Sequence, residues 1–261
     1  MTTSYDCSDP LQKREGLTAA QRAVSLKQVV VLPTDTVYGI GADAFSPQAV
    51  ATLLASKGRG RNMPPPVLIP RIQTLDGLAT DVLPDARRLA EAFWPGGLTL
   101  ICHSQPSLTW DLGDALGTVA LRMPDDEVAL ELLTLTGPLA VSSANRTGQP
   151  AATTAAEAAG QLAESVAVYL DAGPRTAGGG TGSTIVDATG ETLRVVRQGT
   201  LSLERLREVV PGIVGIDGAD PGVGTPAESG KVAPAEPGSG TPAESVDDAP
   251  AVSGGSGPFT S

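Results

Sequence analysis

The chain has 261 residues, 41% of them apolar, so it can bury a substantial core in one large domain or two small ones. Its 18 Lys and Arg against 29 Asp and Glu give a formal net charge of −11. That argues against bulk electrostatic attachment to nucleic acid or an anionic membrane and leaves any anion binding to a local site. Two distant cysteines, Cys7 and Cys102, suit a reducing compartment, and the single histidine, His103, excludes a multi-histidine metal site.

The opening MTTSYDCSDP has neither a basic nor an apolar leader region, and no apolar run approaches bilayer length. The expectation is a soluble, cytoplasmic protein with no membrane contact. Leu17–Lys27 is predicted as the first helix, with Thr18 and Gln21 as its capping box. Val29–Leu32 follows as a buried strand, because four consecutive apolar residues rich in β-branching are too few for a helix. Pro33 ends it, and Thr34, Asp35, Thr36, Tyr38, Gly39 and Gly41 are read as a loop at the strand's C-terminal end. Ligands of open α/β sheets bind outside such ends. A plain polar turn into a helix is the alternative.

Ser46 and Pro47 start a second helix, which runs to Gly58. There KGRGR sets Lys57, Arg59 and Arg61 in a basic loop, suggesting a phosphate site, or else a solvated helix C-terminus where cations suit the dipole. After Pro64–Pro66 come a strand at Val67–Ile69, a helix at Pro84–Phe93 stopped by Trp94-Pro95-Gly96-Gly97, and a strand at Leu98–Cys102. His103 is expected at the exposed end of that strand. Ser104–Gly117 shows only turn signals. Thr118–Leu121 is a strand closing on Arg122, which calls for an anion or a carboxylate partner because its charge cannot be neutralised.

Asp125–Leu135 is an amphipathic helix and Pro138–Val141 a strand. SSANRTG then supplies Ser142, Ser143, Asn145 and Thr147 as neutral donors and acceptors. Thr153 or Thr154 caps a helix to about Leu162, and Val166–Leu170 is a strand ending at Asp171. Gly178–Gly182 is a loop leading to Ser183 and the strand Ile185–Asp187. A turn near Gly190 returns Leu193–Val196, followed by Arg197-Gln198-Gly199 and a last helix, Leu203–Val210, capped by Ser202. Alternating strands and helices with a late hairpin predict an α/β fold around one mixed sheet. No Rossmann fingerprint or P-loop is present.

Beyond Ile216 the composition turns to Pro, Gly, Ala, Ser and acid, with GTPAES at Gly224–Ser229 and again at Gly240–Ser245. Residues 1–216 are therefore read as one folded domain and 217–261 as a disordered acidic tail. Seven acids against Lys231 give this tail −6, leaving about −5 for the rest.

PTDTVYG, KGR, FWPGGLTL, LRMP, SSAN-x-x-G, GST and RQG occur in this order between about Ala19 and Leu201. Each is weak alone; in series, the chain resembles the YrdC-like family of threonylcarbamoyl-AMP synthases. The resemblance implies a twisted mixed parallel/antiparallel sheet with flanking helices and a concave groove. It implies formation of L-threonylcarbamoyladenylate and pyrophosphate from L-threonine, bicarbonate and ATP. By this resemblance Thr36, Arg122, Ser143 and Ser183 hold L-threonine. Arg59, Thr118, Asn145, Thr153 and Arg197 hold ATP, and Lys57 lies beside the phosphates, making Lys57 and Arg59 the candidate catalytic pair. Mg2+ arrives with ATP and has no fixed protein site, and the product passes to a tRNA threonylcarbamoyl transferase complex, with weak RNA contact. Leu68 stands where many members carry a histidine, and the tail is too poor in apolar residues to be the second globular domain of longer members. The rival readings are an RNA-binding module and a carbamoyl or adenylyl transferase for another amine.

Overall fold

The apolar run at Val29–Leu32 is continuous because its strand is covered on both faces. Val29 and Val31 enter one apolar cluster and Val30 and Leu32 another, the period-2 alternation of a strand buried on both sides. The structure is a computed structural model describing residues 2–176 and 180–218. The tail from residue 219, with both GTPAES copies, and residues 177–179 of the glycine loop lie outside the described residues.

The chain begins with β1 (Thr3–Asp6), to which the sequence reading assigned no structure, and α1 (Pro10–Ser25). The first helix thus starts seven residues before the predicted Leu17. Its cap is Asp9, whose carboxylate accepts from Leu11 N and Gln12 N, and Thr18 is a helix-interior residue bonding Arg14 O. Gly16 disguised this start, since glycine weakens a helix interior. Here it lets the helix lie on β1: a Cβ at Gly16 would stand 2.8 Å from Tyr5 Cβ.

β2 (Val30–Leu32) turns back directly into β3 (Gly39–Asp43), its antiparallel neighbour. Gly39 and Gly41 therefore lie on a strand, and the connecting polar segment is a hairpin loop, shorter than the loop expected from the sequence. α2 (Pro47–Lys57) has Ser46 as cap and ends at Gly58, as the sequence predicts. β4 (Val67–Leu68), α3 (Thr74–Leu78), β5 (Ala79–Thr80), α4 (Pro84–Phe93), β6 (Leu98–Ser104) and β7 (Thr118–Arg122) follow. α3 and β5 are too short for their periodicity to show in the sequence. α5 (Glu127–Thr136), β8 (Leu139–Ser143), α6 (Ala155–Leu162), a 3-10 turn (Ala163–Ser165), β9 (Val168–Asp171), β10 (Thr184–Asp187), β11 (Arg194–Arg197) and α7 (Leu203–Val209) complete the described chain.

The strands form one mixed sheet in the order β1-β9-β2-β3-β8-β4-β7-β6-β10-β11, with β5 against β6. The sheet combines parallel pairs such as β4–β7 and β6–β10 with antiparallel ones such as β3–β8 and β6–β7. One apolar cluster packs α2, α3, α4, α6 and α7 on one face; the other packs α1 and α5 on the opposite face.

α1 and α5 cover only part of their face. Along β6, Leu98, Leu100 and Cys102 point into the first cluster, while Thr99 and Ile101 point the other way and line an open cavity. β7 repeats the pattern, with Val119 and Leu121 inward and Ala120 and Arg122 on the cavity side. The concave groove is thus the stretch of sheet that no helix of this face covers. Among the described residues, no helix is long and apolar enough to cross a membrane. His103 is exposed near the end of β6, with Nε2 3.0 Å from Thr189 O, as expected of a strand terminus.

Candidate active site

The cavity, about 370 Å³, takes side chains from loops and strand ends that are far apart in sequence. Of the ten residues singled out from the sequence, seven line it: Thr36, Arg59, Thr118, Arg122, Ser143, Ser183 and Arg197. Lys57, Asn145 and Thr153 do not, and their side chains bond elsewhere.

Arg122 ends β7 and is almost wholly buried. Its Nη2 donates to Asp35 Oδ1 at 2.6 Å, its Nη1 to Thr36 Oγ1 at 3.0 Å and its Nε to Gly96 O at 3.0 Å. Asp35 is the carboxylate partner that a buried arginine required; its Oδ1 also accepts from Asp125 N at 3.0 Å. Burial pushes the Arg122 guanidinium below its ordinary range while Asp35 pulls it back up. The fork is held by three groups on two separate segments, the hairpin loop and Gly96.

Hydroxyl directions in the hairpin loop follow from proton counting. Thr34 spends its one proton on Val37 O at 2.6 Å, so Thr36 is the donor in the 3.1 Å Thr34–Thr36 pair. With Arg122 already donating to it, Thr36 faces the cavity as an acceptor alone. It suits the N–H or O–H of a ligand.

Arg197, at the end of β11, clasps Ser183: Nη2 donates to Ser183 O at 2.7 Å and to its Oγ at 3.1 Å. Ser183 Oγ also lies 2.7 Å from Thr99 Oγ1. Thr99 was missed in the sequence because a lone threonine in LTLIC looks like ordinary strand filling, and its one signal is a polar residue at an alternate position of an apolar strand. Burial lowers the Arg197 pKa, and the charges of Arg122 and Arg59 lower it further, so the three guanidiniums sense one another. Arg59 donates to Ser142 Oγ at 2.7 Å, and its Nε is buried with no partner among the described residues. An orphaned buried donor on a cation is suited to an arriving anion.

Lys57 is the last residue of α2 and turns into the protein. Its Nζ donates to the carbonyl oxygens of Ser143 and Asn145, with the latter at 2.6 Å. Burial first, and then the Arg59 charge, lower its pKa to about 8. Asn145 uses both amide donors on its own loop, bonding Arg146 O at 2.8 Å and Gln149 O at 2.7 Å. Thr153 caps its own segment by donating to Glu157 Oε2 from both N and Oγ1. Lys57 and Asn145 therefore fix the loop that carries Ser142 and Ser143. Arg61, the remaining cation of the basic loop, pairs with Asp111 outside the cavity.

Three guanidiniums with a single carboxylate beside them make a strongly cationic cavity in a chain of net charge −11. Fork-shaped donors at separate strand ends suit a polyphosphate and a carboxylate. Neutral hydroxyls between them can orient small polar groups. Among the described residues, no three His, Cys, Asp or Glu side chains gather as a metal site.

Residues 23–199 match the sequence profile of the Sua5/YciO/YrdC family, described as Telomere recombination. The chain is 54% identical over 219 residues to a Putative threonylcarbamoyl-AMP synthase of Mycobacterium tuberculosis, covering 84% of this chain and 98% of that one. It is 37% identical over 195 residues to the Threonylcarbamoyl-AMP synthase of Bacillus subtilis, covering 73% of this chain and 56% of that one. Among solved structures, Pyrococcus abyssi Sua5 complexed with L-threonine superposes with a TM-score of 0.72 at 31% identity, covering 80% of this chain and 61% of that one. Escherichia coli YciO, at 22% identity and a TM-score of 0.70, shares the fold, covering 79% of this chain and 100% of that one. With a family profile spanning most of its sequence and a relative matched along nearly that relative's whole length, the chain belongs to the Sua5/YciO/YrdC family.

Proposed function

We propose that this cavity converts L-threonine, bicarbonate and ATP into L-threonylcarbamoyladenylate, pyrophosphate and water, for threonylcarbamoyl modification of tRNA. The observation that carries the reading is the convergence of Arg59, Arg122 and Arg197 on one cavity whose remaining polar lining is mostly hydroxyl. The names of the mycobacterial and Bacillus relatives support it, as does the threonine-bound archaeal structure.

Threonine's carboxylate pairs with Arg122, and its amine or hydroxyl donates to the acceptor Thr36. Ser143 and Ser183 complete this end. Arg59 and Arg197 meet the phosphates, where the unpartnered Arg59 Nε gains an acceptor. The threonine amine takes up the carbon of bicarbonate with loss of water. A carbamate oxygen then attacks the α-phosphorus, and the bond to the β-phosphate oxygen breaks to release pyrophosphate. Guanidiniums in place before reaction neutralise charge that builds on the phosphate oxygens. Lys57, held by carbonyl oxygens behind the cavity, acts by fixing the Ser142–Asn145 loop. Mg2+ carried by ATP would supply further charge neutralisation on the phosphates.

The decisive measurement is pyrophosphate release from ATP, which must require both L-threonine and bicarbonate because the attacking carbamate contains atoms of each. Release indifferent to either would overturn the proposal, as would activity only with another amine. L-Serine should turn over less well, since a lost methyl contact is worth roughly 1–3 kcal/mol.

A further inference from the structure

Arg61 belongs to the basic run KGRGR, yet the cavity does not use it. Its guanidinium forks onto Asp111 instead, with Nη2 2.8 Å from Oδ1 and Nη1 3.1 Å from Oδ2, and its Nε lies 3.7 Å from Asp114 Oδ1. A backbone bond closes the same contact, Asp114 N donating to Arg61 O at 2.9 Å, while Gly113 N donates to Asp111 Oδ1 at 3.0 Å within its own loop and orients that carboxylate. Gly113 has φ +103°, and a Cβ there would stand 2.6 Å from Arg61 O, so glycine is what allows the two loops to meet.

Each clamped loop supplies wall to the cavity. Arg59 and Pro64–Pro66 come from one, Leu112 and Ala115 from the other, which then leads into Thr118. We propose that Arg61, locked to Asp111 and Asp114, is a positioning residue for the nucleotide, tying the segment that carries Arg59 to the segment that carries Thr118. This rests on the reading of the cavity as an ATP site. The threonine end is remote from the clamp: Arg122 lies four residues along β7 from Thr118, about 13 Å at strand spacing. The Arg61 and Asp111 side chains are about half exposed, and exposed pairs add little to global stability, so what the clamp contributes is loop register.

The test compares wild type, Arg61→Ala, Arg61→Lys and the charge-reversed pair Arg61→Asp with Asp111→Arg, all as the full chain. MgATP binding is read by calorimetry, and the KM values for ATP and threonine by pyrophosphate release. Arg61→Ala should weaken MgATP binding and raise the ATP KM roughly three- to fivefold, the scale of one exposed ion pair. The threonine KM, the kcat and the melting temperature should stay close to wild type. Arg61→Lys, which keeps charge but loses the fork, should fall between, and the reversed pair should recover most of the loss. Unchanged MgATP binding in Arg61→Ala overturns the proposal. So does an equal rise in both KM values, or a reversed pair no better than Arg61→Ala. Wild type that binds MgATP without threonine-dependent turnover would refute the assigned reaction and leave the clamp to be decided by calorimetry. Wild type that binds no MgATP would refute both.

Discussion

Asp35 and Arg122 meet at 2.6 Å across 87 positions of sequence, joining the β2–β3 hairpin loop to the end of β7. The pair is nearly buried, so losing one partner leaves the other as an uncompensated charge. Arg122→Ala should weaken threonine binding by about 2–5 kcal/mol and ATP binding much less. Asp35→Ala should lower unfolding free energy by about 3–5 kcal/mol, since Arg122 then keeps its charge without a carboxylate. Separate ligand titrations and urea unfolding read the two effects. ATP binding hit harder than threonine binding in Arg122→Ala would reverse the assignment.

Arg197 and Arg59 should give the opposite ligand order. Arg197→Ala removes a guanidinium that also clasps Ser183, so threonine affinity should fall slightly and ATP affinity by about 2–5 kcal/mol. Arg59→Ala should act on ATP alone. Isothermal titration with each ligand separately distinguishes these patterns.

Lys57 should leave a signature in the pH dependence of stability. Burial lowers its pKa from 10.5 to about 8, so between these values the unfolded chain binds more protons at this position than the folded one. Raising the pH through that window therefore stabilises the fold. Lys57→Gln keeps a donor toward Ser143 O and Asn145 O but does not titrate. The unfolding midpoint of wild type relative to this variant should climb from about pH 8 to 10.5. A flat difference would show that Lys57 is not held charged against burial.

The acidic tail should be dispensable for chemistry. A chain ending at Ile216 retains every cavity residue, and the sequence beyond it is poor in large apolar side chains. Threonine-dependent pyrophosphate release should stay within about twofold of wild type, about 0.4 kcal/mol in barrier. A large loss in a truncated chain that still melts cooperatively would assign the tail a role in turnover.

Local patterns in the sequence were sufficient to determine most of the elements. The Ser46-Pro47 cap of α2, the Ser202 cap of α7 and the β-branched run of β2 are short-range signals, and each element forms where those signals lie. The motif series was likewise enough to identify the family and to mark seven residues that line the cavity. Tertiary structure alone decided which partner each charge takes. Lys57, Arg59 and Arg61 lie within five residues, yet one turns into the protein toward Asn145 O, one reaches Ser142 and the cavity, and one pairs with Asp111. Nothing local distinguishes them, because direction depends on the helix end at Gly58 and on loops more than 40 residues away. The cavity itself was equally invisible. It exists because α1 and α5 cover only part of one sheet face, a property of how the strands are ordered rather than of any strand's own sequence.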